Sequence, residues 1–437
     1  MTETIRSRAQ ALLPELTAIR RDLHRYAEPG WLEMRTTSLL ARRLTDLGYE
    51  VLTGPAVCKA DARMGLPSDQ TLEEHYKWAQ ENGADPEFLP ATRGGFTGVV
   101  ATLHCGEGPT AALRFDIDAL GVLEADDETH LPHREGFASV TPGVMHACGH
   151  DGHAAVGIGT AMLLRELRGQ LHGTVRLIFQ PAEEGVRGAS SVVAAGHLDG
   201  VDYALAAHVF PAGKAAGLVD IGVLAEGGKG GLATSKLDVT FHGRSAHAGI
   251  APQEGRNALL AAATAVLNLH AIPRFGNTPT QLNVGTLHAG TGRNVVCETA
   301  KLELEVRGET TEANEYMLSR AQKIVKAAAE MQDCAVQTQA MGHAAALTCD
   351  WPLSARIERI CKEELGLRVT RVGSLGGGSE DFSCMAQRVQ QQGGQAAYVG
   401  LLTACPAANH NDHFDFDEQA LANGAAMFAA VTASLLA

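Results

Sequence analysis

Residues 150–169, HDGHAAVGIGTAMLLRELRG, and residues 173–181, GTVRLIFQP, are the neighbouring stretches that decide the fold class. The first is long, apolar and rich in small residues, which is typical of a buried helix. The second is a short apolar run of the kind that forms a buried strand, and VDYALAAHV (201–209) predicts another. Strands with continuous apolar runs that alternate with helices indicate a parallel or mixed sheet with both faces covered. The sequence therefore predicts an α/β fold.

The same alternation extends towards the amino terminus. FTGVVATLH (96–104) and PTAALRFDID (109–118) predict two more strands, and residues 1–30 have a charged amphipathic helix pattern. A polar segment (59–90) lies between these parts and predicts a helix around residues 70–82. We interpret this segment as an insertion into the α/β domain.

A second domain is predicted after the glycine-rich stretch EGGKGG (226–231). The patterns that follow predict the order strand, helix, strand, strand, helix, strand, which is the βαββαβ order of a ferredoxin-like unit. We therefore expect a discontinuous catalytic domain, formed by residues 1–230 and 345–437, with an inserted lid or dimerisation domain at residues 231–344.

The composition restricts the classes of partner. The 437 residues are 45% hydrophobic and carry a formal net charge of −14, which argues against nucleic acid or an anionic membrane as the main partner. The nine cysteines include no CxxC pair and are odd in number, so we expect a reducing cytoplasm rather than a disulfide framework. No apolar run reaches membrane-spanning length.

Residues 144–154, VMHACGHDGHA, concentrate metal-binding side chains at a predicted loop-helix junction. Cys148 and His150 lie two positions apart, and a thiolate and an imidazole both suit zinc. Each of these residues taken alone is more often buried for structural reasons. The cluster must therefore be weighed together with the other strand ends.

Three further stretches place polar side chains at the carboxyl ends of predicted strands. LIFQPAEEG carries the adjacent Glu183 and Glu184, ALAAHVFP carries His208, and ANHNDHFDFDE carries His410 and His413. Functional sites of open α/β sheets are built at that edge. A glutamate pair is usually an exposed turn and a lone histidine usually a core residue. Together with Cys148, however, they form a zinc-type ligand set large enough for two ions.

The sequence resembles the metallo-amidohydrolase and peptidase family of aminoacylase, hippurate hydrolase and glutamate carboxypeptidase. The matching motifs run in family order along nearly the whole chain: RFDIDAL, MHACGHDGH, QPAEEG, AAHV, GRSAHAG, GTGRNVV, GGGSEDFS and HNDHFDFDE. RMGLP, GGFTGVVATL, GFAS and FDFDEQ are similar to the aminobenzoyl-glutamate hydrolase branch. The resemblance implies hydrolysis of N-acyl amino acids, with p-aminobenzoyl-glutamate as the expected substrate. The alternative is a broader specificity of the hippurate or indole-acetyl-amino-acid type.

The resemblance also implies roles for the clustered residues. Two divalent metal ions, zinc or manganese, would be held by a bridging thiolate and four further ligands: Cys148, His150, Glu184, His208 and His410. Glu183 would be the general base, since a carboxylate that is not a ligand is available for proton transfer. Asp118 would orient a ligand. The carboxypeptidase branch has a histidine ligand two residues before that aspartate. This chain has Asp116 there, so His150 is expected to replace it.

His146 and His153 are interpreted as structural or supporting rather than as ligands, Asp151 is left without an assigned role, and His413 is given no metal role. In the insert, the resemblance implies that His247 stabilises the oxyanion, commonly across a dimer with a like or a homologous chain. It implies that Asn294 and Arg307 hold the substrate carboxylate, with Arg293 as a weaker candidate. GGGSED (376–381) is expected to line the pocket.

Two other classes of protein remain open from the sequence. One is a binding protein with a structural zinc, although a structural site would use up its ligands and leave no spare glutamate. The other is an enzyme that uses Cys148 as a thiol nucleophile, which would need a metal-free thiolate and an activating base. Loss of activity with a chelator, unfolding with a chelator, and resistance to a chelator separate the three classes.

Overall fold

The computed structural model describes residues 2–212, 220–374 and 378–437. Its internal contacts divide the chain into two compact units. The first contains the residues up to Gly230 and those from Thr348 onward, apart from a short segment before Asp381. The second contains Gly231–Leu347 and that short segment. We describe each unit by itself.

The bounds of the elements are as follows. The helices are α1 Thr2–Arg25, α2 Met34–Asp46, α3 Asp69–Glu81, α4 Leu131–Arg134, α5 His150–Leu167, α6 Ala189–Ala194, α7 Ala258–Leu269, α8 Thr311–Glu330, α9 Trp351–Arg359, α10 Phe382–Gln391 and α11 Gln419–Leu435. The strands are β1 Glu50–Thr53, β2 Val99–His104, β3 Thr110–Asp116, β4 Thr174–Gln180, β5 Tyr203–Pro211, β6 Asp220–Lys229, β7 Ala233–His242, β8 Thr280–Ala289, β9 Thr299–Gly308, β10 Ala335–Ala344, β11 Val369–Ser374 and β12 Gln395–Thr403.

The first unit is built on one mixed sheet with the strand order β1-β2-β4-β3-β5-β12-β6-β11. The four central strands β4, β3, β5 and β12 are parallel to one another. Antiparallel pairs lie on both sides of them, namely β1 with β2, β2 with β4, and β12 with β6. The predicted α/β class with a mixed, mainly parallel sheet is therefore confirmed.

Helix α5 lies in the core of this unit because its sequence is apolar on nearly every side. Two of its glycines allow close packing. A β-carbon on Gly157 would lie 2.5 Å from the Phe179 ring, and one on Gly159 would lie 2.9 Å from Leu16 and 3.0 Å from Ala425. The helix is thus fixed against strand β4, helix α1 and helix α11. Its amino-terminal residues, which follow Cys148, are fixed with it.

The second unit has the predicted order of elements, β7-α7-β8-β9-α8-β10. Its four strands form an antiparallel sheet with the order β10-β7-β9-β8. Residues from α7 and α8 pack with the alternate, inward-facing residues of the strands in one apolar cluster. This alternation explains why the sheet needs helices on only one face.

The glycine-rich stretch is more regular than the sequence suggested. Strand β6 continues to Lys229 and pairs with β11 and β12, although no strand was predicted there. The residues between strands β6 and β7 are therefore limited to 230–232. The insertion at 59–90 contains α3, which packs on its own apolar cluster with residues near 32–34 and 89. Residues 376 and 377 of GGGSED lie outside the described residues.

Candidate metal centre and active site

Four of the predicted site residues lie at the carboxyl edge of the four central strands. Asp118 follows β3, Glu183 follows β4, His208 lies near the end of β5, and His410 follows β12. Since these strands are parallel and adjacent, their ends lie side by side. The crossover connections bring these residues together from distant parts of the sequence.

Cys148, His150 and His208 form the first possible metal-binding group. The Sγ atom of Cys148 lies 3.4 Å from Nε2 of His208. Nδ1 of His208 is 2.7 Å from the carbonyl oxygen of Val209, so it carries the proton and donates it there. This tautomer leaves the Nε2 lone pair of His208 on the side of the cysteine, which is the arrangement that a metal ligand requires.

Cys148, Glu184 and His410 form a second possible group, and it shares the cysteine with the first. Oε1 of Glu184 lies 3.5 Å from Nε2 of His410. The backbone of His410 is in the left-handed region, at φ 67°, and its N–H donates to the carbonyl of Ala147 at 2.7 Å. The loop after β12 is therefore tied to the cysteine loop by the backbone.

Asp118 connects the two predicted glutamates to a predicted ligand. Its Oδ1 accepts the backbone N–H of Glu183 at 3.0 Å, and its Oδ2 accepts that of Glu184 at 2.9 Å. Oδ1 also lies 3.2 Å from Nδ1 of His150. Burial opposes ionisation of Asp118, but its contact with His150 lowers the pKa of the carboxyl. The aspartate thus fixes the His150 ring and the glutamate loop together.

Asp116 and His153 are hydrogen-bonded to each other, and His153 also accepts a hydrogen bond from the backbone. The N–H of Val209 donates to Nε2 of His153 at 2.9 Å, so Nδ1 carries the proton and donates to Asp116. Asp116 also accepts from Arg114 at 2.6 Å. Burial opposes ionisation of Asp116, but Arg114 and His150 hold its pKa well below the usual range. Both ring nitrogens of His153 are therefore used in hydrogen bonds, although Asp116, His150 and His153 also form a possible metal-binding group.

The donor atoms fit divalent metal ions of the zinc or manganese type. Nε2 of His150 and Oε1 of Glu184 are buried without a hydrogen-bond partner among the described residues. Buried polar atoms are normally paired, so both atoms are available to bind a cation. Burial raises the pKa of Glu184 to about 7 and that of Cys148 to about 12, so a nearby positive charge would favour their ionised forms. Thiolate, imidazole and carboxylate together are a borderline-metal ligand set.

The remaining polar residues of the motif belong to a buried network behind the ligands. Asp151 accepts from Arg20 at 2.8 Å and lies 2.8 Å from Nδ1 of His24. His146 is buried and has no hydrogen-bond partner among the described residues, and burial lowers its pKa to about 4. His413 is partly exposed and lies 2.8 Å from Asp127. Of these residues, Asp151 links α5 to α1.

The second unit brings His247 and Asn294 together. The N–H of Ala248 donates to the carbonyl of Asn294 at 3.0 Å, so the two predicted functional loops are paired. The N–H of Gly249 donates to Nδ1 of His247 at 3.2 Å. The ring proton of a neutral His247 therefore sits on Nε2, which can donate a hydrogen bond. His247, Asn294 and Arg293 are all exposed.

Arg307 lies apart from these loops. It is eight residues beyond Thr299 on β9, about 27 Å at about 3.4 Å per residue, whereas Asn294 precedes that strand. Its guanidinium is already paired with Glu305, at 3.0 Å and 3.2 Å. A carboxylate shared by Asn294 and Arg307, as the resemblance implies, would therefore not be held by both residues of one chain in this arrangement.

Two buried carboxylates near the glutamate loop were not found from the sequence. Glu33 accepts the N–H of Ala182 at 2.7 Å, and Asp381 accepts the N–H of Gly188 at 3.2 Å and of Ala189 at 3.0 Å. Asp381 lies in the GGGSED motif, which the sequence predicts to line the pocket, but its hydrogen bonds to the glutamate loop could not be predicted. Glu33 stands in EPGWLEMRT and has no sequence pattern that distinguishes it from a surface residue.

The arrangement defines a class of protein. An α/β sheet that collects thiolate, imidazole and carboxylate ligands at its carboxyl edge, with a further carboxylate beside them, is suited to metal-dependent hydrolysis. Residues 112–434 match peptidase family M20/M25/M40, and the chain belongs to this family. It is accordingly a hydrolase.

Characterised relatives cover nearly the full length. The chain is 46% identical to the indole-3-acetyl-aspartic acid hydrolase of Enterobacter agglomerans, over 94% of this chain and 93% of the relative. It is 44% identical to one of the subunits of the p-aminobenzoyl-glutamate hydrolase of Escherichia coli (strain K12), over 96% of this chain and 95% of the relative.

Solved structures agree with this assignment. An aminobenzoyl-glutamate utilization protein from Klebsiella pneumoniae is 39% identical and superposes with a TM-score of 0.82, covering 98% of this chain and 97% of the other. A dinuclear metal binding peptidase of the M20 family from Bacillus subtilis is 27% identical, with a TM-score of 0.66 and coverage of 98% and 99%. Among the described residues, no helix is long and apolar enough to cross a membrane.

Proposed function

We propose that this chain hydrolyses the amide bond between an aromatic acyl group and an acidic amino acid, with p-aminobenzoyl-glutamate as substrate. The observation that carries the proposal is the pair of possible metal-binding groups that share Cys148, with Glu183 buried beside Glu184 and His150. The relatives named above support the substrate class, since both of their names describe an aromatic acyl group joined to aspartate or glutamate.

We assign the metal ligands to Cys148, His150, Glu184, His208 and His410. When bound, two zinc or manganese ions would polarise the amide carbonyl and activate the attacking water. Glu183 accepts the proton of that water and passes it to the leaving amine. Asp118 fixes the positions of Glu183 and His150 relative to each other, because it accepts a hydrogen bond from the backbone N–H of Glu183 and contacts the ring of His150.

We assign oxyanion stabilisation to His247. Its Nδ1 accepts the Gly249 N–H, which leaves Nε2–H as a donor for the oxygen that becomes negative as the amide is attacked. Asn294, whose loop is paired with that of His247, and the neighbouring Arg293 would then meet the substrate carboxylate. Arg307 could hold a carboxylate only after leaving Glu305.

We also propose that the second unit is a lid and that it forms a dimer, with a like or a homologous chain. Strand β8 lies at the edge of its sheet. Helix α7 exposes Leu259, Leu260 and Leu267 by 40%, 47% and 75%. An unpaired strand edge and an apolar helix face are both surfaces that proteins usually cover. The Escherichia coli relative is named as one component of its hydrolase, which supports a homologous partner chain as the alternative to a like one.

The substrate class is tested with the purified chain and a panel of N-acyl amino acids. We expect p-aminobenzoyl-glutamate to have the highest kcat/KM, with indole-3-acetyl-aspartate next and hippurate and N-acetyl amino acids lower. Preference for indole-3-acetyl-aspartate would support the second candidate, which the 46% identical relative favours. Failure on every acyl-glutamate and acyl-aspartate would exclude the acidic substrate class.

The two alternatives from the sequence are disfavoured by the site. A thiol nucleophile needs a lowered pKa, whereas burial raises that of Cys148 to about 12. A structural zinc would leave no use for the buried Glu183 beside the ligand group. A chelator experiment separates them: hydrolysis stops in the proposed enzyme, the fold is lost with a structural zinc, and activity persists in a thiol enzyme.

A further inference from the structure

The loop that carries Glu183 and Glu184 has an unusual backbone. Ala182 and Val186 lie in the left-handed region, at φ 50° and 59°, and Gly185 lies there at φ 83°. Only the glycine takes this conformation without a steric penalty, and the penalty is greatest for a β-branched residue such as Val186. Strain of this kind persists only where the surrounding structure enforces it.

Three buried carboxylates enforce this conformation through the backbone. Asp118 accepts the N–H groups of Glu183 and Glu184, and Asp381 accepts those at the far end of the loop, at positions 188 and 189. The first strained residue, Ala182, donates to Oε1 of Glu33 at 2.7 Å. Glu33 is fully buried, and its other oxygen accepts from the hydroxyl of Thr97 at 2.7 Å.

We infer that Glu33 is a positioning residue for hydrolysis: by holding the N–H of Ala182, it keeps the backbone immediately before Glu183 in its left-handed conformation and so aims the Glu183 carboxylate. The inference rests on the proposed role of Glu183. Without an acceptor, the Ala182 N–H would be buried and unpaired, and the penalty of its left-handed φ would no longer be offset. The peptide unit would turn, and Glu183 would move with it.

The role needs an acceptor oxygen but not a negative charge. Burial, followed by the charge of Asp118, raises the pKa of Glu33 to about 8. Glutamine has the same shape and keeps a carbonyl oxygen for the Ala182 N–H. Leucine fills a similar volume without any acceptor.

The experiment compares five variants of the full chain with wild type, using p-aminobenzoyl-glutamate turnover, bound metal and thermal unfolding. We expect Glu33→Leu to lower kcat by about 10- to 100-fold with KM and metal content retained, because a small displacement of a reacting group costs turnover more than binding. Glu33→Gln should restore kcat to near the wild-type value. Glu33→Asp replaces the leucine variant if the latter does not fold, since its carboxyl is one methylene short of Ala182.

Thr97→Val is the matched control. It removes the other hydrogen bond of Glu33, at the same distance of 2.7 Å, but leaves the contact with Ala182. It should lower the unfolding temperature while kcat stays within about twofold of wild type, since the loss is that of one buried hydrogen bond. Equal losses of kcat in Thr97→Val and Glu33→Leu, or an unchanged kcat in folded Glu33→Leu, would overturn the inference.

Glu183→Gln distinguishes this failure from failure of the proposed function. If Glu183→Gln is inactive but the acceptor-lacking variants of Glu33 turn over normally, Glu183 keeps its role and only the positioning role of Glu33 is wrong. If Glu183→Gln itself turns over normally, the proposed chemistry is wrong and Glu33 has no base to position.

Discussion

The Sγ atom of Cys148 lies 3.4 Å from the Nε2 atom of His208. Two ligands of one tetrahedral zinc ion, with Zn–S about 2.3 Å and Zn–N about 2.0–2.1 Å, lie about 3.6 Å apart. The pair is thus spaced as two ligands of one ion would be. Because Cys148 also belongs to the possible group with Glu184 and His410, it would be the ligand that the two proposed metal sites share.

The first prediction concerns metal content. The purified chain should hold about two zinc or manganese ions, and Cys148→Ser should lose most of both because it removes the shared thiolate. Cys334→Ser, in the second unit, is the control and should retain them. Elemental analysis measures the outcome. A Cys148→Ser chain with a full complement of metal would contradict the bridging assignment.

The second prediction concerns Arg307 and its partner. If Arg307 binds a substrate carboxylate, Glu305→Gln frees the guanidinium and should lower KM, whereas Arg307→Ala should raise it. The readout is KM for p-aminobenzoyl-glutamate and for its glutamate α-amide. Arg307→Ala should penalise the acid more than the amide. Equal losses for both substrates would remove Arg307 from the site.

The third prediction concerns the lid. His247→Ala and Glu183→Gln chains should each be inactive alone. If His247 serves the site of a second copy, mixing and re-associating the two should restore part of the activity, because some mixed dimers contain one intact composite site. Exchange between dimers is followed with differently tagged chains. Exchange without recovery would mean that His247 acts within its own chain or has no role.

The fourth prediction concerns pH and the network behind the ligands. Burial opposes protonation of His24, but Asp151 and Glu124 raise its pKa to about 9, above the value of about 6.5 in an unfolded chain. This raised pKa stabilises the fold fully below about pH 6.5, and the contribution is lost as the pH rises through about 9.

Thermal unfolding across pH checks this expectation. The difference in Tm between wild type and His24→Gln should be largest near pH 6 and should shrink by pH 9.5. A Tm difference for His24→Gln that is constant with pH would contradict the coupling.

The sequence predicts those helices and strands whose hydrophobic pattern is distinctive. Helix α5 and strands β4 and β5 have continuous apolar runs, so their type was evident from the sequence, as was the α/β class. Strand β6 was missed because its glycines resemble a linker, although pairing with β11 and β12 overrides that preference.

The sequence also does not predict most contacts between residues that are far apart along the chain. Glu33 acts on Ala182 through a backbone hydrogen bond, which leaves no periodicity or spacing in the sequence. The separation of Arg307 from Asn294 depends on how far β9 extends, and residue types alone do not state it. By contrast, His208 and His410 could be placed at one edge of the sheet in advance, because the carboxyl ends of neighbouring parallel strands lie side by side.

The proposed mechanism depends on different roles for the two adjacent glutamates, Glu183 as the base and Glu184 as a metal ligand, and the Glu183→Gln variant separates these roles. Turnover of p-aminobenzoyl-glutamate and bound metal are measured on the same preparation, with Glu184→Gln in parallel. We predict that Glu183→Gln keeps its metal and loses about 10²–10⁴-fold in kcat, whereas Glu184→Gln loses metal. A Glu183→Gln chain that loses its metal, or that keeps its turnover, would contradict the account.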